Sequence, residues 1–359
     1  MDLGDFGWDD AYEAAFKPQA AAGLLPARVI KQQRDLSTLV AAGGEVEAGV
    51  SGRFRHLAAG PAGFPAVGDW VAIARQGPGR AVVHAVLPRR SAFVRKMAGE
   101  VVEAQVAAAN VDTVFLVSGL DGDFNLRRIE RYLTTAWTSG SSPVVVLNKS
   151  DLRNDLPDVL AAVGLIAPGV PVAALSALEA GGLEALAPYL VPRRTVALLG
   201  SSGVGKSTII NRLLGEERLV TAAVSDAAEG RGRHTTTTRE LVRLPGGALL
   251  IDTPGMRELQ LWADDDGLDR TFDEIDRLAA GCRFRDCRHE QEPGCAVRSA
   301  IGAGTLDARR LESYLKLRRE IDFLEAKRDV RARRQQEKAT GRDFAARLKE
   351  IKKNNPRYR

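Results

Sequence analysis

The sequence predicts a multidomain α/β protein: a small β-barrel, then a mostly parallel α/β domain, then a helical segment built around three cysteines. Three observations predict it. Between residues 27 and 96, short β-like runs (ARVI, EVEAGV, DWVAIA, RAVVHAV) alternate with Gly/Pro turns. After Val101, apolar strands alternate with helical patterns. Beyond Ala263 no strong strand pattern recurs, and Cys282, Cys287 and Cys295, the 3 cysteines of the 359-residue chain, fall in one short stretch. A chain of this length exceeds one comfortable domain, and each part is long enough to bury its own core.

Taken in order, residues 1–24 read as a loosely held arm ending in the small-residue run Ala20 to Gly23. Residues 25–98 hold several short strands broken at Gly43-Gly44, Pro61 to Pro65 and Gly77 to Gly79. That spacing suits an OB-fold barrel, with a generic β-sandwich as the alternative. Residues 101–262 form the α/β domain. Its expected strands are Val111–Val117, Pro143–Leu147, Val170–Leu175, Thr195–Leu199 and Ala248–Ile251, with helices at Leu126–Ser139 and Asp155–Val163. The alternation implies a parallel sheet covered on both faces. Residues 263–326 are helical, and Leu311, Leu315, Leu317, Ile321 and Leu324 recur at helical spacing.

Composition narrows the function classes. No apolar run approaches the roughly 20 residues that cross a bilayer, and the acidic N-terminus lacks a signal-peptide pattern, so a soluble cytoplasmic protein with no membrane partner is expected. Clustered cysteines favour metal binding over a dispersed disulfide framework. Residues 327–359 carry 13 Lys/Arg against 4 Asp/Glu, a local balance of +9, which leaves −4 for the remainder of a chain whose total is +5. A basic extension on a slightly acidic body points to an anionic polymer as partner.

The chemistry is concentrated in a few motifs. Gly200-Ser201-Ser202-Gly203-Val204-Gly205-Lys206-Ser207-Thr208 fits the phosphate-loop pattern between the apolar run TVALL and the helical start TIINRLL. Its glycines let backbone N–H groups wrap phosphates, Lys206 adds charge at the β/γ-phosphates, and Ser207 offers a hydroxyl to magnesium. Asp252-Thr253-Pro254-Gly255 follows the apolar run ALLI; a carboxylate there can hold magnesium and Gly255 can present its N–H to a γ-phosphate. Between them, Gly230 to Thr238 places His234 and four threonines in a Gly/Arg loop suited to a switch, with Thr236 or Thr237 as the magnesium ligand or, alternatively, a plain polar loop.

Asn148-Lys149-Ser150-Asp151, after the run VVVL, decides the base. A carboxylate at Asp151 accepts from guanine N1–H and the 2-amino group, whereas adenine presents neither. A site that leaves such a carboxylate unpaired discriminates by about 10⁴ or more. Ser176-Ala177-Leu178 after the next strand supplies a loop for the guanine carbonyl. The base-reading motif precedes the phosphate loop, the reverse of an ordinary GTPase.

These motifs in this order resemble the circularly permuted GTPases, and the preceding barrel and following Cys/His cluster bring the resemblance closest to the ribosome small subunit-dependent RsgA (YjeQ) family. It covers residues from about Ala27 to about Ala326. The resemblance implies an OB-fold, a circularly permuted P-loop GTPase domain and a zinc-binding domain. It also implies GTP hydrolysis stimulated by the small (30S) ribosomal subunit during its late maturation, with contact to rRNA. Asn148, Lys149 and Asp151 would hold guanine, Gly200 to Thr208 the phosphates, and Ser207 with Asp252 the magnesium that accompanies GTP. A monomer is expected. The alternative is a GTP-gated rRNA-binding switch in which hydrolysis is incidental.

Ras-like enzymes orient water with a Gln after DxxG, where this chain has Met256. The resemblance suggests His234 as the catalytic substitute; a packing role in its loop is the alternative. Cys282-x4-Cys287-x-His289-x5-Cys295 supplies three thiolates and an imidazole, a full tetrahedral set for one structural zinc ion. His56 and His84 fall in the barrel's β pattern and read as structural. The barrel, the zinc module and the basic extension together point to RNA contact, through phosphates more than stacked bases.

Overall fold

The computed structural model describes residues 1–33, 36–58, 60–96, 104–122, 124–217, 239–252 and 264–326. The switch segment with His234, Thr236 and Thr237, Gly255 of the DxxG motif, and the basic extension 327–359 lie outside the described residues.

Five strands close the N-terminal barrel: β1 (Leu25–Gln32), β2 (Ser37–Ala41), β3 (Gly44–Val50), β4 (Trp70–Arg75) and β5 (Arg80–Val86). They run in the order β1-β2-β3-β5-β4, with β4 returning to pair β1 and β3 pairing β5 in parallel. This is the OB-like closure; the sandwich alternative falls away because no second face-to-face sheet is needed to cover the core. Ala27, Val29, Leu39, Val46, Val71, Ile73 and Val83 fill the barrel from alternate positions, as inward-pointing residues of a small barrel must. The helix between β3 and β4, α2 (Gly52–Leu57), carries His56, which is therefore on a helix and not in a strand as its sequence context suggested.

The arm reading of residues 1–24 is corrected. Helix α1 (Asp10–Ala21) starts at Asp9, whose carboxylate accepts from the N–H groups of Ala11 and Tyr12. Tyr12 and Phe16, four residues apart on one face, are buried against Trp70 of the barrel, with Trp8 completing the aromatic cluster. The run of small residues at the helix end concealed this apolar stripe.

A two-stranded pair, β6 (Ala92–Lys96) and β7 (Ala104–Ala109), leads into the α/β domain. There β8 (Thr113–Gly119), β9 (Ser142–Asn148), β10 (Val172–Leu175), β11 (Thr195–Leu199), β12 (Arg239–Arg243) and β13 (Leu249–Asp252) form a sheet in the order β10-β9-β8-β11-β13-β12. All neighbours are parallel except β12, which is antiparallel to β13. β9 and β11 are buried along nearly their whole length, so their sequences read as continuous apolar runs. Strand β12 also pairs with β1 through Lys31 opposite Glu240 and Gln32 opposite Arg239, which joins barrel and α/β sheet edge to edge. Neither β2 nor β12 stands out in the sequence, because each is short and partly polar.

Helix α3 (Leu126–Ser139) follows β8, α4 (Leu156–Ile166) follows β9 and α5 (Lys206–Leu214) follows β11. The C-terminal region contains α6 (Asp265–Thr271), α7 (Asp273–Ala279), α8 (Ala296–Gly302) and a helix α9 over 308–326. Its own core joins Leu268, Phe272, Ile275, Val297, Leu311, Leu317 and Ile321. Among the described residues no helix is long and apolar enough to cross a membrane.

Candidate nucleotide site and metal centre

Every parallel strand of the α/β sheet ends on the same edge, and the motifs sit at those ends: Asn148 closes β9, Ser176 follows β10, Gly200 follows β11 and Asp252 closes β13. Ligands of open α/β sheets bind at this carboxyl edge. Here the edge opens into a cleft of about 1090 Å³, lined by Asn148, Lys149, Asp151, Ser176, Ala177, Ser202, Gly203, Gly205, Lys206, Ser207 and Thr208 among others. Thus Asn148 and Lys149 share one cavity with phosphate-loop residues from Ser202 onward, over 50 positions away in the chain. Gly200, Ser201 and Val204 belong to the loop without lining the cleft, and Val204 is buried.

Asn148 ties three segments together. Its Nδ2 donates to Val204 O at 2.8 Å, and its Oδ1 accepts from Ala177 N at 2.9 Å, so one buried amide holds the phosphate loop and the Ser176-Ala177-Leu178 loop at fixed distances from its own strand. Gly205 is required by this tie: at φ 96° it adopts a left-handed conformation, and a Cβ there would lie 2.1 Å from Asn148 Nδ2. Gly200 is constrained by its neighbour strand, since a Cβ would fall 2.3 Å from Val117 O.

Lys149, at φ 64°, lies across the loop and donates to Gly203 O at 2.8 Å and to Asp121 Oδ2 at 2.5 Å. Its alkyl stem can then cover one face of a planar base. Lys206 is buried and donates to Gly200 O at 2.7 Å and to Ser201 O. Asp151 is exposed at the cleft rim, with Leu152 and Leu178 providing apolar walls. Ser207 is the second residue of α5, in the first turn, where the helix N-terminus faces the cleft.

Sequence reasoning missed Asp121, Arg212 and Tyr132. Asp121 follows β8 at the same strand edge as the recognised motifs, so a search for polar residues just past apolar strands finds it. Arg212 donates to Ala177 O at 2.7 Å and to Glu179 O at 2.5 Å, bracing the base loop from α5. Tyr132, in mid-helix, gives no local signal; its hydroxyl lies 3.1 Å from Ser201 Oγ.

The Cys/His quartet also comes together. Ligand atoms of Cys282, Cys287, His289 and Cys295 all lie within 4.8 Å of one another. Cys282 Sγ is 3.9 Å from Cys295 Sγ, and His289 Nδ1 is 3.6 and 3.4 Å from those two sulfurs. A tetrahedral zinc with bonds near 2.3 Å to sulfur requires edges of about 3.8 Å, so the donor set fits the ion. Burial holds the His289 imidazole below its ordinary pKa, which favours the neutral form that ligates metal. The loop is closed by Glu292, whose carboxylate accepts from Arg288 N and Glu290 N at 2.9 Å and from Gln291 N at 3.1 Å. Those backbone hydrogen bonds, that from Arg288 foremost, lower its pKa to about 2.

A phosphate loop at the centre of the sheet, with its base-reading strands placed earlier in the chain but beside it in space, defines a circularly permuted P-loop GTPase. Residues 86–262 match the family model described as RsgA GTPase. A "Small ribosomal subunit biogenesis GTPase RsgA" from Opitutus terrae is 56% identical over 330 residues, covering 89% of this chain and 90% of that protein. One from Streptomyces coelicolor is 48% identical, covering 92% and 90%. The chain belongs to the RsgA GTPase family. The crystal structure of YjeQ from Thermotoga maritima superposes with a TM-score of 0.62 at 27% identity, over 83% of this chain and 98% of that one. YloQ, described as a circularly permuted GTPase, shares the fold, with a TM-score of 0.59 at 22% identity over 83% and 95%.

Proposed function

We propose that this chain binds GTP with Mg²⁺ and hydrolyses it to GDP and phosphate, that the small ribosomal subunit stimulates this turnover, and that the protein acts in late maturation of that subunit while contacting its rRNA. The observation that carries the reading is the single cleft shared by Asn148, Lys149, Asp151 and the phosphate loop at the carboxyl edge of the sheet. The names of the relatives, small ribosomal subunit biogenesis GTPases, support the partner.

In this reading Asp151 accepts from guanine N1–H and the 2-amino group, Asn148 and Lys149 set the depth of the base, and Ser176 with Ala177 faces the guanine carbonyl. Gly200 to Thr208 wrap the phosphates with backbone N–H groups, and the Lys206 ammonium turns toward the β/γ-phosphates. Ser207, Asp252 and one of Thr236 and Thr237 hold the Mg²⁺, and Gly255 presents its N–H to the γ-phosphate. When bound, Mg²⁺ neutralises phosphate charge. His234 orients the attacking water in place of the Gln found in Ras-like enzymes, because the thioether of Met256 cannot do so. One zinc ion held by Cys282, Cys287, His289 and Cys295 is structural: protein ligands fill the tetrahedron and leave no open position. The protein is read as a cytoplasmic monomer without a membrane partner. Its proposed divisions are the N-terminal arm, now helical, at 1–24, the barrel at 25–98, the GTPase domain at 101–262, the zinc domain at 263–326 and a basic RNA-contacting extension at 327–359.

The test is multiple-turnover phosphate release with and without small subunits. Slow intrinsic turnover, strong stimulation, and loss of stimulation in His234→Ala with GTP affinity kept are the expected results. Normal stimulated turnover in that variant would remove His234 from the mechanism, and absence of any stimulation would remove the subunit.

A further inference from the structure

We propose that Tyr132 is a positioning residue for the phosphate loop, and that α3, which carries it, links nucleotide occupancy to the Cys₃His domain. The inference rests on the nucleotide site proposed above.

Helix α3 has three engaged faces. Ile129, Leu133 and Ala136 are buried in the core beside the sheet. Tyr132 directs its hydroxyl to Ser201, 3.1 Å away, in the first turn of the phosphate loop. Glu130, Thr134 and Thr138, spaced four residues apart, form a stripe toward the C-terminal helices. Along that stripe Glu130 pairs with Arg310 at 2.7 Å, Thr134 meets Thr271 at 3.1 Å, and Thr138 donates to Asp264 at 2.9 Å. Arg310 is buried and also reaches Glu274 and Thr271 O, both at 2.5 Å, while its guanidinium stacks on Phe272. Two further pairs, Arg127 with Glu312 and Arg131 with Glu320, fasten α3 to α9.

The contact leaves little slack. A Cβ on Gly267 of α6 would sit 2.2 Å from Thr138 Oγ1 and 2.6 Å from Thr134 O, so the two helices touch backbone to side chain. Close-packed elements of this kind transmit displacement as a body and do not absorb it. At the other end, the residue Tyr132 contacts is also one the phosphate-binding lysine leans on, since Lys206 donates to Ser201 O. A bound phosphate competes for that ammonium and changes the load on Ser201. The resulting path runs from Lys206 through Ser201 and Tyr132 into α3 and out through Glu130 to Arg310. It is separate from the covalent path through 253–263, by which the DxxG motif leads into the C-terminal region.

Linkage makes the proposal testable in both directions. In the zinc-loaded full chain, hydrogen exchange over 264–326 is compared without nucleotide, with saturating GDP and with a non-hydrolysable GTP analogue. Bound nucleotide is expected to slow exchange in α6 and α9 by about fivefold, the size of one hydrogen bond. Tyr132→Phe, which keeps the ring and loses the hydroxyl, removes most of that protection even at saturation. Glu130→Gln, which keeps the shape of the helix contact, weakens nucleotide binding by a factor of similar size in the wild-type background and much less in the Tyr132→Phe background. Circular dichroism and zinc content establish that both variants are folded. Equal nucleotide-dependent protection in wild type and Tyr132→Phe overturns the proposal, as does bound nucleotide that leaves exchange over 264–326 unchanged. A chain that binds no guanine nucleotide at all overturns this proposal together with the proposed function, and a fluorescent-GDP titration identifies that case.

Discussion

The nucleotide cleft and the Cys₃His centre solve the same problem, gathering polar groups at a defined distance, by opposite means. The centre draws all its ligands from the 14 residues between Cys282 and Cys295, and its loop is closed by one carboxylate, Glu292. The cleft draws on four separated segments and depends on a buried sheet to aim their ends, with Asn148 as the cross-tie. A contiguous site can be cheap in sequence but needs a metal to hold its thiolates together. A distributed site needs no metal for its shape, because the strands that position it are already in the core.

This contrast is most severely tested by removing the metal proposed for the Cys₃His cluster. Structural zinc contributes apparent free energies of about 10–16 kcal/mol in small modules. Chelation, or Cys287→Ser, is therefore expected to abolish ordered packing of 264–326, visible as loss of exchange protection there. The cleft should survive, with GDP affinity falling by no more than about fivefold, the coupling proposed through α3. A larger loss would mean that the cleft depends on the metal centre for its own fold.

A smaller effect tests the cross-tie. Asn148→Ala deletes hydrogen bonds to Val204 O and Ala177 N and leaves both backbone groups without their partner. About 2–3 kcal/mol is expected, appearing as weaker guanine-nucleotide binding and a lower melting temperature, with the Cys₃His cluster unaffected. If binding weakens with no change in melting, Asn148 acts on the ligand alone and does not organise the cleft.

The smallest effect concerns the N-terminal helix. Asp9 is held below its ordinary pKa of 3.8, first by the hydrogen bond from Arg90, 2.5 Å away, and further by the N–H groups of Tyr12 and Ala11. Because the folded-state pKa is depressed, the contribution is complete above about pH 4 and is lost as pH falls through the lowered value. Both partners are substantially exposed, so it amounts to less than about 1 kcal/mol. Acid titration of tryptophan fluorescence, from Trp8 and Trp70, is expected to show this step in the wild type and to lose it in Asp9→Asn.

The contrast also explains what could be read in advance. The phosphate loop, the NKxD motif and the cysteine spacing are local patterns, and each is found where its spacing placed it. Helix α3 begins and ends at Leu126 and Ser139 as its periodicity indicated, capped by Asn125 and by Gly140 in a left-handed conformation. Asp121 and Tyr132 escaped notice because their partners, Lys149 and Ser201, are 28 and 69 positions away. The packing of residues 1–24 escaped because Tyr12 and Phe16 find Trp70 only after the barrel has closed.

The sequence by itself determined the candidate chemistry: which loop is proposed to wrap phosphate, which carboxylate is proposed to meet the base, and which four side chains could hold a metal. These depend on residue types at short, fixed separations, where backbone geometry leaves few alternatives. Only the tertiary structure decided how those parts are joined. The pairing of β12 with β1, the Asn148 tie and the seat of α3 against Arg310 are contacts between distant segments, specified by burial and hydrogen-bond satisfaction over the whole molecule. A permuted order of motifs is harmless for the same reason, since the sheet fixes spatial neighbours whatever the order in which the chain visits them.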